Sequence, residues 1–175
     1  MATRAKRRPP PAEDAKAILN RVRQLVRALR AFDKRAQSKY GVGAAQMFIL
    51  HVLRQEDELS MNELANRTAT DQSSASLAAG RLVEEGYVRR TPSKEDRRQV
   101  RLSLTARGRA LVRRSPPAAQ EKIMDSVAVM TARERALLMT LLDKLIAGLG
   151  AAESAAPMLF QDEDAAELPG RRRRS

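Results

Sequence analysis

Residues 60–105 read SMNELANRTATDQSSASLAAGRLVEEGYVRRTPSKEDRRQVRLSLT. Two short helical patterns come first. Met61, Leu64 and Ala65 face one way on a helix over 62–67, and Thr68-Ala69-Thr70 makes a turn. A second helix over 72–83 places Ala75, Ala78, Ala79, Leu82 and Val83 on one face. Asp71 stands where an N-cap is needed, with its carboxylate in reach of the Ser74 N–H. Glu84-Glu85-Gly86 stops that helix. Tyr87–Thr91 follows as a strand, then a charged tip over 92–98, then a strand in which Val100, Leu102 and Leu104 alternate with Arg101 and Ser103. Helix, turn, helix and hairpin in this order predict a winged helix.

The rest of the chain frames that segment. Ile18, Val22, Leu25, Val26, Leu29 and Phe32 recur at helical spacing, which predicts one long amphipathic helix from Glu13 to Tyr40. Gly41-Val42-Gly43 breaks it, and a mostly apolar helix follows over 44–54. A further helix opens at Thr105. Ser115-Pro116-Pro117 must interrupt it, because proline lacks the N–H and clashes with the preceding turn. It resumes towards Met130. Thr131-Ala132-Arg133-Glu134 has the form of a capping box. The helix behind it carries Leu137, Leu138, Leu141, Leu142, Leu145, Ile146 and Leu149 on one broad face and ends at Gly148 and Gly150. The expected architecture is mainly α with a small β-hairpin wing. A winged helix spans about 44–105, and helices over 13–40 and 106–150 form a helical dimerisation lobe. Residues 1–11 read as a disordered basic arm and 151–175 as a disordered tail ending in Arg171–Arg174. The first and last helices carry more leucine than so small a domain can readily cover, so a second copy of the chain is the expected partner, the alternative being an intramolecular bundle.

Composition narrows the chemistry. The 175 residues have a net charge of +12, one histidine, no cysteine and no tryptophan. The positive excess favours polyanions. Without cysteine there is no disulfide, thiolate nucleophile or thiol redox sensor. A lone histidine, His51, makes a transition-metal site unexpected. Neither a nucleophile–base pair nor a phosphate-cradling glycine loop is present, so no catalytic residue and no cofactor is expected. No apolar run reaches the roughly 18 residues of a membrane span, and a cytoplasmic, nucleoid-associated protein is expected.

Candidate contact residues follow from these patterns. On the second reading helix Gln72, Ser73, Ser74, Ser76, Leu77 and Gly80 are left outward or at the rim, and Gln72, Ser73, Ser74, Ser76, Leu77 and Arg81 are the contact candidates. Short side chains let a backbone approach a groove, Gln can pair with adenine, and Ser can meet bases or phosphates. At the hairpin tip Lys94, Asp96, Arg97 and Arg98 offer guanidinium and ammonium groups suited to a narrow, negative minor groove. Double-stranded DNA is the implied partner. Two other functions fit part of the pattern. A low-specificity DNA-coating, architectural or silencing protein would explain the charge and the Arg-rich tails. A winged-helix protein-interaction module would not need the basic tip.

Together, the ELA of the first reading helix, the SSAS of the second, RLVEEGYVRR, the wing DRR and LTARGRAL from Leu104 resemble the MarR family, the bacterial multiple antibiotic resistance regulators, over about residues 13–150. The resemblance implies a homodimer with one winged helix per subunit, binding a short inverted repeat, most often as a repressor released by a small aromatic or phenolic ligand. It puts Ser73, Ser74, Ser76 and Leu77 at bases and backbone, and Asp96 and Arg98 in the wing motif, with Arg98 in the minor groove. It also implies an effector cleft, for which Tyr40, Met47, His51 and Arg97 are the candidate lining residues. Two positions depart from the family pattern: Leu77, where a polar or basic residue is common, and Ala69, where the turn often has glycine. The family's thiol-sensing branch needs a cysteine that this chain lacks.

Overall fold

The computed structural model describes residues 11–93 and 99–150. The basic arm, the wing tip with Lys94, Asp96, Arg97 and Arg98, and the C-terminal tail lie outside the described residues.

The described residues begin with α1 (Pro11–Tyr40), which starts two residues earlier than expected. Proline suits the first helical position, where its missing N–H has no partner to lose. Gly41 at φ 72 ends the helix, and α2 (Ala44–Gln55) follows. The free N–H groups at the start of α2 are satisfied by side chains: Gly43 N–H donates to Gln46 Oε1 of α2 itself at 2.8 Å and Ala44 N–H to Asp33 Oδ1 of α1 at 2.8 Å. Nine of the twelve residues of α2 are buried, because α1, α3, α4, α5, α6 and β3 all pack against it.

Next comes β1 (Leu59–Ser60), which no sequence pattern announced, then α3 (Met61–Thr68) and α4 (Gln72–Glu84). The hairpin is β2 (Val88–Pro92) and β3 (Val100–Leu104). The three strands are antiparallel in the order β1-β3-β2, with Leu59 opposite Leu102 and Val88 opposite Leu104. Then come α5 (Ala106–Arg114), α6 (Ala119–Ala128) and α7 (Ala132–Gly148). Pro116 and Pro117 interrupt the helix between α5 and α6 as expected, and the Thr131–Glu134 capping box is formed, with N···O distances of 2.8 and 3.2 Å. The fold is therefore mainly helical with a small wing sheet.

The core is aliphatic and sits beneath the reading head. Ile49 and Leu50 of α2, Leu64 of α3, Leu82 of α4, Leu102 of β3 and Leu111 of α5 are all fully enclosed. The expected alternation along β3 holds only in part. Leu102 and Leu104 are buried, but Ser103 is buried as well and Val100 is 46 % exposed. Ser103 is covered because Arg89, opposite it on β2, donates its Nε–H to Ser103 Oγ at 2.9 Å. Val100 lies past the edge of the core, where the hairpin leaves the body.

The terminal helices are uncovered. Ile18, Leu19, Val22, Leu25 and Val26 of α1 are 39–54 % exposed. No residue of α7 is buried, and Leu141, Leu142, Leu145 and Ile146 lie open along it.

Candidate nucleic-acid interface

The turn between α3 and α4 is built by local hydrogen bonds. Ser60 caps α3 in a capping box with Glu63: Ser60 N–H donates to Glu63 Oε2 at 2.7 Å and Glu63 N–H to Ser60 Oγ at 3.3 Å. Those backbone and hydroxyl bonds, and then Arg101 at 2.6 Å, hold the Glu63 carboxyl below its ordinary pKa. At the other end of α3, Ala69 sits in the left-handed region at φ 51, ψ 43, the only non-glycine residue among those described to do so. Its N–H closes on Asn66 O, and Thr70 N–H on Ala65 O. This is the position where a glycine would be free of Cβ strain.

Asp71 caps α4 as the sequence predicts, with Ser74 N–H donating to Oδ1 at 2.8 Å. The Ser74 hydroxyl donates to Oδ2 at 2.6 Å, and both bonds lower the Asp71 pKa, the hydroxyl first. Ser74 thus departs from the expected outward set. It is 8 % exposed, and its hydroxyl serves the cap. The remaining candidates behave as a group. Gln72, Ser73, Ser76, Leu77 and Arg81, with Gly80 and Glu84, line one open concavity of about 850 Å³ on the outer side of α4. The opposite side, through Ala75, Ala78, Ala79 and Leu82, is buried. The helix ends in a Schellman turn on Gly86 at φ 74, with Tyr87 N–H bonded to Leu82 O.

The hairpin is anchored to this helix and to α5. Thr105 caps α5 by accepting from Gly108 N–H at 3.1 Å. Its own N–H donates to Tyr87 O at 3.0 Å, and its hydroxyl to Gly86 O at 2.8 Å. Arg107 stacks on the Tyr87 ring, 4.5 Å from its centroid. Gly108 has an internal reason to be glycine: a Cβ there would lie 2.1 Å from Tyr87 O. Arg90 on β2 was not among the residues singled out from the sequence, yet its guanidinium reaches over α4 to the Gly80 position.

The expected effector residues separate. Tyr40 and Met47 line a small apolar cavity of about 90 Å³ with Phe32, Ala36, Ala44 and Pro116–Ala119. His51 does not join them. It is 7 % exposed, with Nδ1 3.1 Å from Glu121 Oε2 and Nε2 3.0 Å from the Ser115 hydroxyl. Its two ring nitrogens join α2 to the first turn of α6 and to the α5–α6 break. Desolvation lowers the His51 pKa, outweighing the pull of Glu121, and Arg54 adds to the lowering.

Comparison with known proteins agrees with this geometry. A family model described as MarR family matches residues 40–99. The transcriptional regulator PecS of Dickeya dadantii is 32% identical over 119 residues, covering 66% of this chain and 71% of PecS. The transcriptional repressor MdtR of Bacillus subtilis is 37% identical over 73 residues, 42% of this chain, and the match spans about half (47%) of MdtR. Among solved structures, Sco3205 of Streptomyces coelicolor, a MarR family transcriptional regulator in complex with DNA, superposes with a TM-score of 0.57 at 23% identity. That superposition covers 89% of this chain and 99% of Sco3205 and speaks for the fold alone. Among the described residues no helix is long and apolar enough to cross a membrane. The relative sharing about a third of its residues across most of both lengths, together with the family model over the reading head, establishes that this chain belongs to the MarR family of transcriptional regulators.

Proposed function

We propose that the chain is a homodimeric, sequence-specific DNA-binding transcription regulator, a repressor acting on an inverted repeat in the cytoplasm. The observation that carries this reading is the outer face of α4. It is open, presenting Gln72, Ser73, Ser76, Leu77 and Arg81, while the opposite side of the same helix is locked into the core. A helix so mounted can enter a major groove without unfolding anything. Ser73, Ser76 and Gln72 then read bases or hold phosphates, and Leu77 suits a thymine methyl. Lys94, Asp96, Arg97 and Arg98 are proposed to place the wing in the adjacent minor groove, with Arg98 as the inserted residue.

Dimerisation rests on the uncovered helices. A helix of 17 residues that buries no side chain, with leucines along its length, gains little by folding alone, since each large aliphatic side chain contributes about 1.5–3 kcal/mol only on burial. A second copy supplies matching faces on α1 and α7 and sets two reading heads about one helical turn of DNA apart. The effector reading rests on the cavity beside Tyr40 and Met47. At about 90 Å³ it is smaller than the 150 Å³ cavity that admits benzene in an engineered protein. An aromatic ligand there would wedge α1 from α2 and shift the heads out of register.

The test is selection of duplexes from a random-sequence pool, in moderate salt with competitor DNA, followed by footprinting. The expected product is a palindromic site bound by two chains, and Leu145→Glu is expected to yield lone chains that lose it. Recovery of unrelated sequences, with binding abolished by competitor, would instead favour the DNA-coating protein.

A further inference from the structure

Gly80 lies in the interior of α4, where glycine costs a helix stability relative to alanine. Glycines in this chain usually have an internal cause. Gly41, Gly86 and Gly150 have positive φ, and Gly108 has Tyr87 O where its Cβ would be. Gly80 has neither. Its φ is not positive, and a Cβ there would meet nothing closer than Arg90 Nη2, at 3.9 Å, an ordinary contact. Nothing among the described residues accounts for Gly80, and its missing side chain leaves the solution side of α4 open to something that comes close to the helix backbone.

The chemistry beside the gap indicates what that is. Arg90 is exposed, and its side chain forms no hydrogen bond or ion pair with the described residues. Its neighbour Arg89, by contrast, is committed to Ser103. Gly80 lines the same concavity as Gln72 and Ser73, so the Arg90 guanidinium stands over a side-chain-free patch at the rim of the reading face. Glu84 is the acidic group on that face, and it sits one turn beyond Gly80, towards the hairpin. A planar fork of N–H donors over an open backbone notch suits a tetrahedral oxyanion.

We propose that Gly80 and Arg90 form a phosphodiester subsite. Gly80 lets one strand's backbone come against α4, and Arg90 closes on the phosphate from the strand side, which sets how deeply the helix sits in the groove. The proposal rests on the reading of α4 as the groove-entering helix. It adds a contact that fixes position and carries no base preference of its own.

The experiment measures binding to a duplex selected from a random pool by the wild-type protein, and to a scrambled duplex of equal length, across a salt series. Gly80→Ala is expected to melt at a higher temperature than wild type and to bind about tenfold more weakly. Arg90→Ala should weaken both duplexes by similar factors and flatten the salt slope by about one, and Arg90→Lys should restore most of the slope. Combining Gly80→Ala with Arg90→Ala should cost less than the product of the two single effects, because both act on one phosphate. Wild-type affinity and slope in both Gly80→Ala and Arg90→Ala would overturn the subsite. Gln72→Ala and Ser73→Ala separate the two levels. If they weaken binding while the Gly80 and Arg90 variants do not, only the subsite is wrong. If none of the four has an effect, α4 is not the reading helix and the subsite falls with it.

Discussion

Replacing Gly108 by alanine tests how the wing is joined to the body. The new Cβ would lie 2.1 Å from Tyr87 O, 3.1 Å from Tyr87 C and 3.2 Å from Leu104 Cδ2. Relief requires the Tyr87 carbonyl and α5 to part by more than an ångström. That carbonyl accepts from Thr105 N–H at 3.0 Å and from the Thr105 hydroxyl at 3.2 Å, so the movement strains two hydrogen bonds worth about 1 kcal/mol each. Overpacking adds about 1–3 kcal/mol. Alanine's better helix propensity returns roughly 1 kcal/mol. The net loss is about 2–4 kcal/mol, a fall of roughly 10 °C in melting temperature for a domain of this size. Urea unfolding at fixed protein concentration is the assay, since self-association would otherwise shift the midpoint. The midpoint should fall with little change in the m-value, and DNA affinity should fall too, because the hairpin base moves relative to α4. A Gly108→Ala protein as stable as wild type, or more so, would show that α5 is not pressed against the Tyr87 carbonyl, and the account of how the wing is held would be wrong.

Ala69→Gly should act in the opposite direction. Relief of left-handed strain, about 1–2 kcal/mol, exceeds the flexibility cost of glycine, about 0.5–1 kcal/mol, for a net gain of roughly 0.5–1 kcal/mol in urea unfolding; a loss would mean the turn is not left-handed. The buried His51 gives a pH signature. Its pKa is lowered from 6.5, chiefly by desolvation, so the unfolded chain takes up a proton first as pH falls. Its contribution to stability is intact above 6.5 and is lost as pH drops from there towards the lowered native value. Urea midpoints measured in this window should fall on acidification in wild type and fall less in His51→Gln. A wild-type midpoint that rises on acidification would mean that the Glu121 interaction outweighs burial.

Much of this fold is legible in the chain because its signals are local. The helices α1, α2, α4 and α7 follow from apolar spacing longer than any strand would carry. Ends of α1, α4 and α7 follow from Gly41, Asp71, Gly86 and Thr131, and the Pro116-Pro117 pair marks the break between α5 and α6. What escaped depends on contacts distant in sequence. The two-residue β1 has no period to read and exists only because Leu59 finds Leu102. Ser74 looks like a surface residue until its hydroxyl is seen bonded to the cap, and Ser103 until Arg89 covers it. On α4 the periodicity places Gln72, Ser73, Ser76 and Leu77 on the open side, where they lie, and only Ser74 turns inward. Arg90 was missed because a strand arginine looks like ordinary surface until the fold sets it against Gly80. His51 and Tyr40 are only eleven residues apart, yet the fold sends one into a buried polar junction and the other to an apolar cavity.

The length of α1 gives it a mechanical role. Thirty residues make a rod of about 45 Å. It is fastened near one end, where Asp33 caps α2 and the Tyr40 hydroxyl donates to Arg114 O at 3.0 Å. A rod pinned near one end is a lever. A tilt of about 10° at the pin swings the far tip by roughly 8 Å on a 45 Å arm. If two such rods are clasped along their free lengths, as the proposed pairing requires, the same tilt is returned to the pinned ends as a change in the separation of the reading heads. A displacement the size of one methyl group at the α1–α2 joint can then change a spacing measured in base pairs.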